Sequence, residues 1–110
     1  MHSDRQLKNW YLKYNRRFWA EQLPENTILY WEPLSADAAS ACPVYEVDNG
    51  QFLIKLDPYV KGLGKFWKVN LLHEMVHVSL WIKHPKHQHG KLFKDEIKRI
   101  FLLGAYKDLL

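Results

Sequence analysis

The segment His73-Glu74-Met75-Val76-His77 has the clearest chemical potential in the sequence. Residues four apart on an α-helix lie about 40° apart around its axis and one turn along it. Two imidazoles at this spacing project from one side and can ligate the same zinc ion. Glu74 is rotated by about 100° from His73, so it can accept the proton of a zinc-bound water as that water attacks a peptide carbonyl. The segment therefore predicts a zinc-dependent peptidase with Glu74 as catalytic base.

A metal-free alternative is a pair of hydrogen-bonded core histidines beside a capped or exposed Glu74. The surrounding segment is apolar on nearly every side, so these polar groups would be carried on a buried helix. Buried polar groups without partners cost several kcal/mol. The metal site is favoured because it makes both histidines zinc ligands and gives Glu74 a catalytic role.

A catalytic zinc normally has three protein ligands and keeps a fourth position for water. The histidines available downstream are His84, His87 and His89. His89 directly precedes Gly90 and the last predicted helix, which could fix its position, but spacing alone does not separate the three. The acidic alternatives, Asp95 and Glu96, lie on that last helix.

Supporting roles in the site have several candidates. Asn70 lies one turn before His73, where it could orient an imidazole or serve as an ordinary polar position on the helix. Tyr59, Tyr106 and His84 could each stabilise an oxyanion. The sequence does not distinguish among them.

Two kinds of element must position these residues. Helical periodicity predicts an N-terminal helix, a buried helix that carries the motif, and a C-terminal helix; they span Asp4–Gln22, Lys65–Lys83 and Lys91–Tyr106. Short β-branched and aromatic runs predict strands at 27–32, 44–47 and 51–56, and Asp48-Asn49-Gly50 predicts a hairpin between the last two. Strands that are separate from helices predict an α+β fold with a small, mostly antiparallel sheet.

Composition narrows the class of protein. The chain has 110 residues, 47% of them hydrophobic, which suits one globular domain over residues 1–110. The single cysteine, Cys42, cannot form an intrachain disulfide, and neither a signal peptide nor a membrane span is evident. We therefore expect a cytoplasmic protein, favoured as a monomer, without a membrane partner. A net charge of +4 is compatible with nucleic-acid binding but does not predict it.

The sequence resembles the SprT-like metallopeptidases. The resemblance is carried by His73-Glu74-x-x-His77 followed, after eleven intervening residues, by His89-Gly90-x-x-Phe93. Looser similarities extend over almost the whole chain; they are Tyr14-Asn15, Phe18, Leu23-Pro24, Tyr30-Trp31, Cys42 and Ile54 to Pro58.

This resemblance implies a zincin-like domain that holds one zinc ion through His73, His77 and His89, with Glu74 as base. It also implies that Phe93 packs behind His89 and that Gln51–Leu56 lies beside a bound polypeptide substrate. Spartan-type members of the family cleave proteins crosslinked to DNA, so DNA is a further expected partner. The chain lacks the C-terminal zinc ribbon of many members, which keeps open an alternative: a catalytically silent, zinc-containing module that binds DNA or protein.

Overall fold

The computed structural model describes residues 2–33, 44–47, 51–84, 90–107 and 109, with the backbone alone for residues 44–47. This part of the chain is α+β, as predicted. Its helices are α1 (Arg5–Trp19), α2 (Pro58–Lys61), α3 (Trp67–Lys83) and α4 (Lys91–Leu102), and its strands are β1 (Ile28–Trp31), β2 (Val44–Val47) and β3 (Gln51–Leu56). A 3₁₀ turn over Gly64–Phe66 leads directly into α3.

The three strands form one mixed sheet in the order β1-β3-β2. β2 pairs antiparallel with β3, with Val47 opposite Gln51, as the predicted hairpin requires. The turn residues 48–50 lie outside the described residues. β1 runs parallel to β3, so the expectation of a mostly antiparallel sheet is not confirmed. The alternation of apolar and polar side chains does not give the direction of a strand. The connection between β1 and β2 is long enough to cross β3, so β1 can pair with the opposite side of β3 and run parallel to it.

The central position of β3 corrects one expectation about the substrate. Both sides of Gln51–Leu56 already pair with neighbouring strands, β1 on one side and β2 on the other. A bound polypeptide cannot add to a strand whose backbone groups are occupied in this way. The edges of the described sheet are β1 and β2.

Helix α3 lies in the core, as its all-round apolar sequence predicts. Leu71, Leu72, Met75, Val76 and Val78 are fully buried. They pack in one cluster with apolar side chains of α1 and of the sheet. The segment that carries the candidate ligands is therefore held by packing on several sides, which limits its movement.

Local hydrogen bonds determine the residues at which the helices begin and end, which periodicity alone does not locate. The Asp4 carboxylate caps α1 by accepting a 3.0 Å hydrogen bond from the Leu7 amide. α4 ends at Leu102 rather than Tyr106, because Gly104 has a φ of 94° and the amide of Ala105 donates back to the Ile100 carbonyl. This is a Schellman motif, which glycine permits and which stops a helix. Within the described residues, no helix has the length and hydropathy of a bilayer span.

Candidate metal centre

The imidazoles of His73 and His77 converge on the same point beside α3. Their Nε2 atoms are 3.2 Å apart, and the ring centroids are 4.9 Å apart with the planes at 74°. Both residues lie on the face of α3 that remains open to solvent, and the His73 side chain is 48% exposed. The i, i+4 spacing thus brings two ring nitrogens together where a solute ion can reach them.

The separation of these nitrogens fits zinc. Two nitrogen ligands at the usual zinc distance, in tetrahedral geometry, stand about 3.3 Å apart. The 3.2 Å Nε2–Nε2 distance also allows a direct hydrogen bond between the rings, with one acting as donor. Among the described residues, no group of three His, Cys, Asp or Glu side chains surrounds one point. A zinc ion here therefore requires a ligand from another part of the chain.

Glu74 lies next to this pair but is turned into the protein. It is 7% exposed, and its Oε1 atom is 4.0 Å from the His73 Nε2 atom. Its Oε2 atom is buried and has no hydrogen-bond partner among the described residues. Burial raises the pKa of Glu74 from 4.5 to about 8. A neighbouring cation would favour the carboxylate form, so this acid suits a position beside a metal.

Phe93 of α4 covers the two imidazoles. Its ring centroid is 5.0 Å from that of His73 and 4.8 Å from that of His77. The resemblance implied packing behind His89; the structure shows contact with the other two histidines. Aromatic packing of this kind restricts the rotamers of both rings.

The candidates for a third ligand differ in position, exposure and hydrogen-bond partners. His87 and His89 lie outside the described residues. His84 caps the C-terminal end of α3, where it is exposed and forms no metal-binding group with the described side chains. Asp95 is exposed and pairs with Lys91 at 2.8 Å. Glu96 is buried and occupied by three donors, and neither carboxylate forms a metal-binding group with the described side chains.

The hydrogen bonds of Glu96 were not foreseen from the sequence. The Glu96 Oε2 atom accepts from Trp19 Nε1 at 3.1 Å and from Ser79 Oγ at 2.7 Å, and Oε1 accepts from Arg99 Nε at 2.6 Å. Burial alone would raise the pKa of Glu96, but hydrogen bonds from Arg99, Ser79 and Trp19 and the charge of Arg99 bring it below its usual value. Trp19 and Glu96 are 77 residues apart, and no local pattern links them.

The other candidates are placed as follows. Tyr59 is 77% exposed on α2, whereas Tyr106 is buried in the core with its pKa raised by burial. Asn70 is half-buried on α3, one turn before His73. Cys42 lies outside the described residues. The roles considered for these side chains remain predictions.

Comparison with known proteins identifies the family. No curated protein and no solved structure matches the chain. The SprT-like family model matches residues 7–106, which include all four helices and all three strands apart from the first two residues of α1. This match supports the resemblance on which the third ligand was expected. The chain belongs to the SprT-like family.

Proposed function

We propose that this protein is a zinc-dependent metallopeptidase with one zinc ion per chain. The observation that carries the proposal is the convergence of His73 Nε2 and His77 Nε2 at 3.2 Å beside a buried carboxylate oxygen of Glu74 that has no partner among the described residues. His89 is the proposed third ligand, and the α+β architecture is proposed to be zincin-like. SprT-like membership supports a metallopeptidase role.

The residues of the chain divide the chemistry as follows. When bound, zinc lowers the pKa of water and polarises a peptide carbonyl. The Glu74 carboxylate accepts the proton of the attacking water and then delivers it to the leaving amine. Its buried position excludes competing solvent, while Phe93 keeps both imidazoles oriented. Burial raises the pKa of Glu74 in the metal-free site, whereas a bound cation would favour the carboxylate, which is the form that accepts a proton.

The edge strand β2 is the proposed platform for a polypeptide substrate. It lies at one edge of the described sheet and contacts α3, which carries the ligands. An extended peptide can add to such an edge through main-chain hydrogen bonds. This proposal replaces β3, whose two sides are already paired.

Cleavage of an unfolded protein tests the peptidase. Zinc-loaded wild-type protein and Glu74→Gln would be compared on reduced casein, with Asp95→Asn as a control that changes an exposed carboxylate paired with Lys91. We expect cleavage by wild type and Asp95→Asn and a loss of about 10²–10⁴-fold in Glu74→Gln. Zinc binding without cleavage in any variant would favour the silent binding module. Equal cleavage by Glu74→Gln would exclude Glu74 as the base.

A second candidate function is action on DNA-bound proteins, favoured by a basic cleft at the C-terminal ends of α1, α3 and α4. The cleft has a volume of about 370 Å³, and its lining includes Arg16, Arg17, Lys83 and Arg99 but no acidic residue. Arg16 pairs with Glu21 and Arg99 with Glu96, whereas Arg17 and Lys83 form no ion pair with a described carboxylate. Two available cations beside two paired ones suit a phosphodiester backbone.

Salt-dependent binding tests this second candidate. Single-stranded DNA would be titrated into wild type, the double variant Arg17→Gln/Lys83→Gln, and Lys94→Gln, which removes an exposed cation of α4 from outside the cleft lining. Removing one cation that binds a phosphate should reduce the slope of log affinity against log salt by about 0.7. We expect a reduction of about 1.4 in the double variant, which removes two such cations, and a smaller one in Lys94→Gln. Equal slopes in all three proteins would contradict binding in this cleft.

A further inference from the structure

Glu96 joins three helices at one buried carboxylate. It belongs to α4, and its donors include the last residue of α1, Trp19, and a residue of α3, Ser79. The third donor, Arg99, also places its guanidinium carbon 5.8 Å from the centroid of the Trp19 ring. A charged acceptor with three donors in a protein interior holds its partners in one arrangement.

The same face of α4 contacts the candidate ligands. Phe93 precedes Glu96 by three residues, which places the two side chains one turn apart on one side of the helix. On α3, Ser79 lies about 3 Å beyond His77 along the helix axis, on a different side of the helix. The Ser79–Glu96 hydrogen bond of 2.7 Å therefore fixes α4 against α3 about one helical turn from the point where Phe93 covers His73 and His77.

We propose that Glu96 is a positioning residue for the histidine pair: through Ser79 and Trp19 it sets the position of α4, and α4 in turn places Phe93 across both imidazoles. The proposal rests on the proposed function where it treats those imidazoles as zinc ligands. Glu96 itself binds neither metal nor substrate. Its effect on the reaction passes through the orientation of the two rings, which a zinc site requires within narrow limits.

The burial of Glu96 explains why a carboxylate is needed here. An apolar residue would leave the Trp19 indole N–H and the Ser79 hydroxyl without their acceptor. A glutamine keeps the size but offers a single oxygen where Glu96 offers two, and its NH₂ group would face other donors. With the amide oxygen in the place of Oε2, the NH₂ group faces Arg99 and the ion pair with that residue is lost. Glu96→Gln also gives Trp19 and Ser79 a neutral and therefore weaker acceptor, which loosens α4 against α1 and α3 without creating a cavity.

Two readouts separate positioning from general stability. The first is the set of nuclear Overhauser contacts between the Phe93 ring protons and the imidazole protons of His73 and His77 in metal-free, full-length protein. The second is zinc affinity measured by competition with a chelator. The matched control is Tyr11→Phe, which removes the hydrogen bonds of a buried hydroxyl to Pro24 and Thr27, neither of which belongs to α4. Ser79→Ala is a milder variant that removes one of the three donors.

The proposal predicts that Tyr11→Phe keeps the ring contacts and the zinc affinity of wild type while its stability falls. Glu96→Gln should weaken or abolish the ring contacts and bind zinc about threefold to tenfold more weakly, a smaller effect than that expected for a direct partner of a ligand. Ser79→Ala should move both readouts in the same direction and decides the question if Glu96→Gln does not fold.

The outcomes also separate this proposal from the proposed function. Unchanged ring contacts in Glu96→Gln and Ser79→Ala would overturn the positioning role, and so would zinc affinities equal to that of Tyr11→Phe. If wild type binds no zinc, the proposed function fails. In that case the ring contacts are the remaining readout. Their loss in Glu96→Gln would still support control of ring orientation by Glu96, and their retention would refute it.

Discussion

Replacing Glu74 by glutamine should make the metal-free protein more stable, by an amount that depends on pH. Burial raises the pKa of Glu74 from 4.5 to about 8. Below pH 4.5 both the folded and the unfolded chain carry this group protonated, so it contributes nothing to the pH dependence. Between 4.5 and 8 the unfolded chain releases the proton while the folded chain keeps it. Stability should therefore fall as pH rises through this window.

The size of this effect follows from the two pKa values. A difference of one unit corresponds to about 1.4 kcal/mol, so the change from 4.5 to about 8 amounts to about 5 kcal/mol at high pH. At pH 7 the same values give about 3 kcal/mol. Such a loss is large beside the total stability of about 5–15 kcal/mol for a small domain. The metal-free protein should thus be markedly less stable at alkaline pH than at pH 5.

Urea unfolding of wild type and Glu74→Gln in the presence of a chelator would measure this effect. The two proteins share every other titrating group, so their difference reports Glu74 together with its coupling to His73, whose Nε2 atom is 4.0 Å from Oε1. We expect the advantage of Glu74→Gln to grow by about 3 kcal/mol from pH 4.5 to 7 and by about 1.4 kcal/mol more by pH 9. A difference that stays constant with pH would contradict a raised pKa at Glu74, because a constant offset reports only the packing of the amide.

Three further predictions concern stability and are each checked by urea unfolding. Gly104→Ala should lower the free energy of unfolding by about 1 kcal/mol. A Cβ atom there meets no neighbour within 4 Å, so the cost arises from the φ of 94° alone; an unchanged stability would contradict the Schellman motif. Asp4→Ala should cost about 1 kcal/mol by removing the cap on Leu7, while Asp4→Asn should retain most of it. Glu96→Gln should cost about 2 kcal/mol at neutral pH. Since the pKa of Glu96 is lowered in the fold, this difference should disappear as acid protonates the wild-type carboxylate; a difference that persists in acid would count against a charged Glu96.

The sequence alone predicts those elements whose formation depends on neighbouring residues in the chain. The spacing of His73 and His77 and the apolar surroundings of the motif predicted a buried helix with two converging imidazoles, and α3 confirms that arrangement. The Asp48-Asn49-Gly50 signal predicted the pairing of β2 with β3, which the register confirms. Such features depend on residues close together in the chain, so periodicity and turn chemistry can reveal them.

Features that depend on distant residues could not be predicted in this way. The parallel direction of β1 against β3 depends on the path of a long connection, and it leaves β1 and β2 at the edges of the described sheet. From the sequence alone, Glu96 is a candidate metal ligand, because it is a carboxylate on the last predicted helix. Its partners Trp19 and Ser79 come from two other helices, and only the tertiary structure shows that they occupy it.

Zinc titration would decide whether the histidine pair is a metal site. Wild type, His77→Ala and the control His84→Ala would each be titrated with zinc against a competing chelator at neutral pH. We predict one zinc per chain in wild type and in His84→Ala, and an affinity more than about a hundredfold weaker in His77→Ala, beyond the effect of removing an outer-shell partner. Wild type that binds no zinc, or His77→Ala that binds it as tightly as wild type, would contradict the metal site and the peptidase proposed from it.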